Sequence, residues 1–131
     1  MRIRRAVLDA IVEHARADAP LECCGLLLGC GDRIDDSWPA RNLKRSPTAF
    51  LIDPADHFAA IRAARASGRT VLAAYHSHPA GPATPSPTDV REAHDPALVH
   101  VIVSLERGEP AVAAYLIGDE GVVAVPLAPE P

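Results

Sequence analysis

His76-Ser77-His78 and Ser86-Pro87-Thr88-Asp89 are separated by the seven residues that run from Pro79 to Pro85. Two imidazoles and a carboxylate at this spacing can close on one divalent metal, with the Ser86 hydroxyl beside it. In extended chain, residues i and i+2 point to the same face. His76 and His78 therefore address one point, and Ser77 turns away. Catalytic zinc takes three N or O ligands at about 2.0–2.2 Å and keeps a fourth position for water. Two neutral imidazoles and one carboxylate leave such an ion about one net positive charge, which brings the pKa of its water toward about 7. The chemistry this points to is hydrolysis.

The same residues also carry a purely structural reading. Ser86 as N-cap, Pro87 at the first helical position and Asp89 at the third make a capping box. The two readings are compatible, because a cap fixes Ser86 and Asp89 at the mouth of a helix. A second carboxylate, Glu22, stands at the start of the apolar run Cys23–Cys30. By position alone it is either a surface charge or a catalytic group.

The elements that must bring these groups together are read from periodicity. Ile3, Val7, Leu8, Ile11, Val12 and Ala15 form one face of a helix over residues 3–17, ended by Pro20. Residues 21–30 are a buried strand, and Gly31-Asp32 is a turn. Residues 33–43 and 48–52 are weaker strands, with Pro39 marking an edge or a bulge. Asp53-Pro54 starts a helix and Gly68 stops it, with Phe58, Ile61 and Arg65 on successive turns. Residues 70–75 are a strand with the histidine pair at its end. A short helix over 87–94 and a strand over 98–105 follow. Strands over 111–117 and 122–127 come last, and Pro126 and Pro129 predict a frayed end. Three helices among roughly seven strands predict an α/β fold, a mixed sheet flanked by helices in a single domain over residues 1–131.

Composition removes several function classes. A formal charge of -4 without a basic run argues against a nucleic-acid footprint, and 4% aromatic residues argue against base stacking. Cys23, Cys24 and Cys30 are odd in number and lack a Cys-x-x-Cys spacing, so they read as small buried hydrophobes. Asp9 and Glu13 interrupt any signal-like apolar region, and no apolar run is long enough to span a membrane. The expectation is a cytoplasmic protein. His14 is expected on the polar side of the first helix, and His100 as a hydrogen-bonded core residue. His94 is expected near the metal.

The residues quoted so far resemble a known family. His76-Ser77-His78, seven residues, Ser86, two residues and Asp89 match the JAMM motif of the MPN-plus metallopeptidases. Pro20-Leu21-Glu22-Cys23-Cys24-Gly25-Leu26-Leu27-Leu28-Gly29 is similar to the segment that carries that family's catalytic glutamate. Phe50-Leu51-Ile52-Asp53-Pro54 matches as well, and the likeness spans most of the chain. The resemblance implies one zinc per chain on His76, His78 and Asp89. It implies Glu22 as general acid/base, Ser86 as the group that steadies the tetrahedral intermediate, and the MPN fold with its curved mixed sheet. It also implies hydrolysis of a peptide or isopeptide bond after the C-terminal Gly-Gly tail of a ubiquitin-like or sulfur-carrier protein. Two other classes stand beside it. A non-catalytic MPN-type binding module with a structural zinc would usually show four protein ligands. A zinc deaminase needs His-x-Glu and Pro-Cys-x-x-Cys, which are absent here. Oligomeric state is not readable from the sequence.

Overall fold

The structure, a computed structural model, describes all 131 residues. A short strand β1 (Arg2–Arg4) leads directly into helix α1 (Arg5–Asp18), followed by β2 (Cys24–Cys30) and β3 (Arg33–Ala40). Helix α2 (Pro54–Ala66), strand β4 (Thr70–His78) and the short helix α3 (Pro87–Glu92) come next. Four strands close the chain: β5 (Val99–Ser104), β6 (Ala111–Gly118), β7 (Gly121–Val125) and β8 (Ala128–Glu130). All eight strands form one sheet in the order β7-β6-β5-β4-β2-β3-β1-β8. β4 runs parallel to β5, and β1 runs parallel to β3 and β8; the other pairings are antiparallel. The mixed, helix-flanked sheet expected from the sequence is the observed architecture.

The sheet is covered on both faces, and strand parity decides which residue meets which cover. Leu27, Ala73 and Tyr75 point to the α1 side, where they join Ile3, Val7, Ile11 and Ala15. Leu26, Leu28 and Ala74 point to the α2 side and meet Ala60 and Ala64. Side chains two apart share a face, so His76 and His78 follow Ala74 to the α2 face. Ser77 follows Tyr75 to the other.

Four expectations are corrected. Ile3 belongs to β1 rather than to the first helix, because its backbone pairs with Ile34 and Pro129. Residues 48–52 form no strand, since the only ladder contact there is the bridge Asn42–Ile52. The C-terminus is not frayed: Pro129 lies within β8, the outermost strand, where one side of the backbone needs no partner. In α2 the buried face is Ala60 and Ala64, and Phe58 is 69% exposed. Small residues let the helix lie close on the sheet.

One glycine is dictated by packing beside the site. A Cβ on Gly25 would overlap the ring of Tyr75, which is fully buried across it on β4. Gly25→Ala is expected to lower stability by about 2–3 kcal/mol through overpacking. Urea or thermal unfolding measures this directly, and an unchanged midpoint would contradict the packing described.

Candidate active site

The site forms where β2 begins and β4 ends. These strands are antiparallel with Cys24 opposite His76. Continued past the end of β2, the register sets Cys23 against Ser77. Ser77 N–H donates to Cys23 O at 3.1 Å, and Cys23 N–H donates to Ser77 Oγ at 2.8 Å. Glu22 is therefore carried toward the end of β4, next to His78. The side chain that turns away from the metal face is thus the one that ties β2 to β4.

Asp89 arrives by a different route. After His78 the chain loops through Pro79–Pro85 and returns at the capping box of α3. Three consecutive carbonyls of this loop are held by side chains. Gly81 O accepts from Ser104 Oγ at 2.6 Å, Pro82 O from His78 Nδ1 at 2.7 Å, and Ala83 O from Tyr115 OH at 2.6 Å. At the helix mouth Asp89 N–H donates to Ser86 Oγ at 3.0 Å, and Ser86 N–H donates to Asp89 Oδ2 at 2.9 Å. Asp89 Oδ2 also lies 3.1 Å from His76 Nε2 and 3.0 Å from His78 Nε2. The two Nε2 atoms are 3.1 Å apart. Cap and ligand geometry coexist on one carboxylate.

This triangle of donors fits a divalent cation. A carbonyl only accepts, so the bond to Pro82 O requires the proton of His78 on Nδ1. In the neutral ring Nε2 then presents a lone pair, and it faces a carboxylate oxygen at 3.0 Å. A proton or a metal cation must lie between two such atoms, and the third atom, His76 Nε2, makes a metal the partner that all three can share. Tetrahedral bonds of about 2.0–2.1 Å give ligand–ligand edges of about 3.3 Å, close to the spacings found. His76, His78 and Asp89 are also the one group of potential metal ligands in the chain whose donor atoms converge. His94 and His100 do not join them. Both line a second cavity of about 470 Å³, which the buried His76 and Asp89 also border.

The electrostatics are those of a buried, charge-rich corner. Burial pushes Asp89 up, but its hydrogen bonds to His76 and His78 outweigh this and hold it far below the usual carboxylate range. Burial lowers His76. Burial also acts on His78, but its bonds to Asp89 and Pro82 prevail and raise it. Glu22 is 4% exposed, and its Oε1 is buried with no hydrogen-bond partner. Burial raises its pKa to about 7, with His78 lowering it and Asp89 raising it. Glu22, His78 and Ser86 line one groove of about 460 Å³, walled by Pro47, Thr48 and the Pro79–Pro82 loop.

Cys23 and Cys24 are buried and free, and burial lifts their thiols to about 11 and about 12. They are inert as nucleophiles at neutral pH. Two histidines depart from expectation. His14 is half-buried, with Nδ1 2.7 Å from Tyr75 OH. His100 is not satisfied, because its Nε2 is buried without a partner. Two contributors were not read from the sequence as parts of the site. Phe50 stacks on His76 with ring centroids 4.2 Å apart, and Asn42 donates to the Glu22 carbonyl. The Asn42-Leu43-Lys44-Arg45 stretch carries a turn-forming residue, which was the available signal.

Residues 4–118 match the family described as prokaryotic homologs of the JAB domain. The CysO-cysteine peptidase of Mycobacterium tuberculosis is 36% identical over 128 residues, which is 95% of this chain and 88% of that protein. A probable TtuB-protein conjugate cleaving protease of Thermus thermophilus is 40% identical over 92 residues, 70% of this chain and 62% of that one. Among solved structures, protein DSY2949 of Desulfitobacterium hafniense superposes with a TM-score of 0.93 at 34% identity, covering 99% of this chain and 93% of its own. A JAB1/MPN domain protein of Archaeoglobus fulgidus shares the fold at a TM-score of 0.63 and 23% identity, each chain covered completely. The fold is the MPN fold, and the chain belongs to the JAB-domain family of prokaryotes. Within it the protein is a hydrolase of the JAMM type. No helix is long and apolar enough to cross a membrane.

Proposed function

We propose that this chain is a one-zinc isopeptidase that hydrolyses the bond after the Gly-Gly tail of a ubiquitin-like or sulfur-carrier protein. Residues 1–131 act as a single domain, in the cytoplasm, where the free thiols of Cys23, Cys24 and Cys30 suit a reducing milieu. His76, His78 and Asp89 hold the metal. One observation carries the reading: His76 Nε2, His78 Nε2 and Asp89 Oδ2 converge within 3.0–3.1 Å of one another while His78 Nδ1 is committed to Pro82 O. Bound zinc supplies a Lewis acid that polarises a carbonyl and lets water ionise near neutrality.

The protein's own groups perform the remaining steps. Glu22 accepts the proton of the attacking water and returns it to the departing amine. Burial holds this carboxyl above the usual carboxylate range in the metal-free protein, and the positive charge of a bound cation would draw it back toward the base form. Ser86 Oγ already accepts from Asp89 N–H, so its own hydrogen is free to donate to the developing oxyanion. The groove suits a Gly-Gly tail. Its walls are mostly proline, alanine, glycine and threonine, and their small side chains leave room for an extended tail that has none of its own.

The curated relatives favour this substrate class. One is named for cleaving CysO-cysteine and another for cleaving TtuB–protein conjugates. The leaving group is accordingly cysteine or another amine. The test is incubation of purified protein with a Gly-Gly-tailed carrier conjugate, read by mass spectrometry. Release is expected with zinc, is expected to stop on chelation, and is expected to resume when zinc is restored. Absence of zinc-dependent release would overturn the proposal.

A further inference from the structure

We infer that Asn42 is a positioning residue that fixes Glu22 and the neighbouring groove wall as one unit. The inference rests on the role proposed above for Glu22. A side-chain amide has two donor hydrogens and an oxygen that accepts twice, and Asn42 uses all of this capacity. Nδ2 donates to Glu22 O and to Ala49 O, each at 3.1 Å. Oδ1 accepts from Lys44 N–H and Leu51 N–H, each at 3.0 Å. No other side chain in the molecule makes four such bonds.

The partners of this amide explain what it positions. Lys44, Ala49 and Leu51 belong to one loop, closed at its base by Leu43 N–H to Leu51 O at 2.9 Å. The loop is tight enough that Arg45 takes a left-handed conformation, φ 44°, the only non-glycine residue to do so. Glu22 is bound to this loop at both of its backbone groups. Its carbonyl accepts from Asn42, and its N–H donates to Ser46 O at 2.9 Å. The loop then presents Thr48 to the groove and stacks Phe50 on His76. The Glu22 carboxyl makes no hydrogen bond of its own through Oε1, so its position is inherited from the backbone that carries it. Asn42 thus decides where the carboxyl stands relative to the groove, while His76, His78 and Asp89 sit on β4 and α3 and make no hydrogen bond to it.

Asn42→Asp separates these roles. It keeps the shape and the two acceptor bonds that close the loop, and it removes both donor bonds, including the one to Glu22. Asn42→Ala removes all four. Each variant is assayed for zinc content and for kcat and KM on the carrier conjugate. Asn42→Asp is also combined with Glu22→Gln and followed in single turnover. The expected result is one zinc per chain in both variants and a loss in kcat of about 10²-fold, the effect of a displacement of about 1 Å. KM is expected to change by less than about threefold, because binding surfaces are retained. In the Glu22→Gln background, Asn42→Asp is expected to change the residual rate by less than about twofold, since residues acting as a unit are not additive. If Asn42→Ala does not fold, Asn42→Asp carries the test alone. Asn42→Asp with wild-type kcat, with lost zinc, or with a full further loss on top of Glu22→Gln would overturn the inference. In those outcomes an inactive Glu22→Gln leaves the isopeptidase reading standing; a fully active Glu22→Gln overturns both.

Discussion

Glu22→Gln is expected to retain stoichiometric zinc and to lose turnover by about 10³-fold or more. Amide and carboxylate have the same shape, but the amide can neither take a proton from water nor hand one to an amine. General acid–base catalysis by one group is typically worth about 10²–10⁴-fold, and in the proposed mechanism one residue serves two successive transfers. The His76–His78–Asp89 triangle is built on β4 and α3, so it does not need the Glu22 charge to form. Metal analysis and steady-state kinetics on one preparation check both halves. Full activity in this variant would remove Glu22 from the mechanism.

The same substitution has a second expected effect, on stability without metal. The folded protein holds the Glu22 proton up to about pH 7, whereas the unfolded chain releases it near the ordinary value of 4.5. Below pH 4.5 the group is neutral in both states and costs nothing. Stability then falls as the pH rises from 4.5 through 7, and the deficit is constant above. In metal-free protein at pH 8, Glu22→Gln is expected to recover about 1–2 kcal/mol, with screening from the groove limiting the gain. Urea unfolding of both proteins at pH 5 and pH 8, in the presence of chelator, measures the difference. A variant that gains nothing at pH 8 would show that the carboxylate is not penalised there. The group proposed as general acid/base is thus one that the bare fold would prefer neutral.

His78→Ala is the second large effect. It is expected to abolish stoichiometric zinc binding, and turnover with it. The imidazole directs Nε2 toward Asp89 Oδ2 and His76 Nε2, the proposed metal position, and donates from Nδ1 to the Pro82 carbonyl. Its removal takes one of three ligands from the metal and also frees the loop that returns the chain to Asp89. The remaining pair, His76 and Asp89, is too few for a tetrahedral site with one open position. Metal analysis after dialysis is the direct check, and retained zinc would exclude His78 as a ligand. Fold stability in the absence of metal should fall much less than activity. The cores beneath α1 and α2 are untouched by the substitution.

Much of the site was legible from local sequence because its physics is local. His76 and His78 are two apart in one strand, and Ser86 and Asp89 are three apart in one helix cap. Spacing alone puts each pair on a common face. Glu22, more than fifty residues upstream, could be seen only as a carboxylate before a strand, until its segment was matched to a family pattern. The register of β2 against β4, closed by the reciprocal Ser77–Cys23 bonds, is what carries it to the end of β4.

The sequence by itself determined the starts of α2 and α3 and the apolar central strands, because these follow from caps, periodicity and turn residues; α1, which has no side-chain cap, was placed two residues early. The sequence did not determine the tautomer of His78, the pairing of β8 with β1 or the four bonds of Asn42. Each depends on partners far away in the chain, and backbone groups have no sequence signature. A carbonyl at Pro82 or Glu22 looks like every other carbonyl until the fold brings a donor to it.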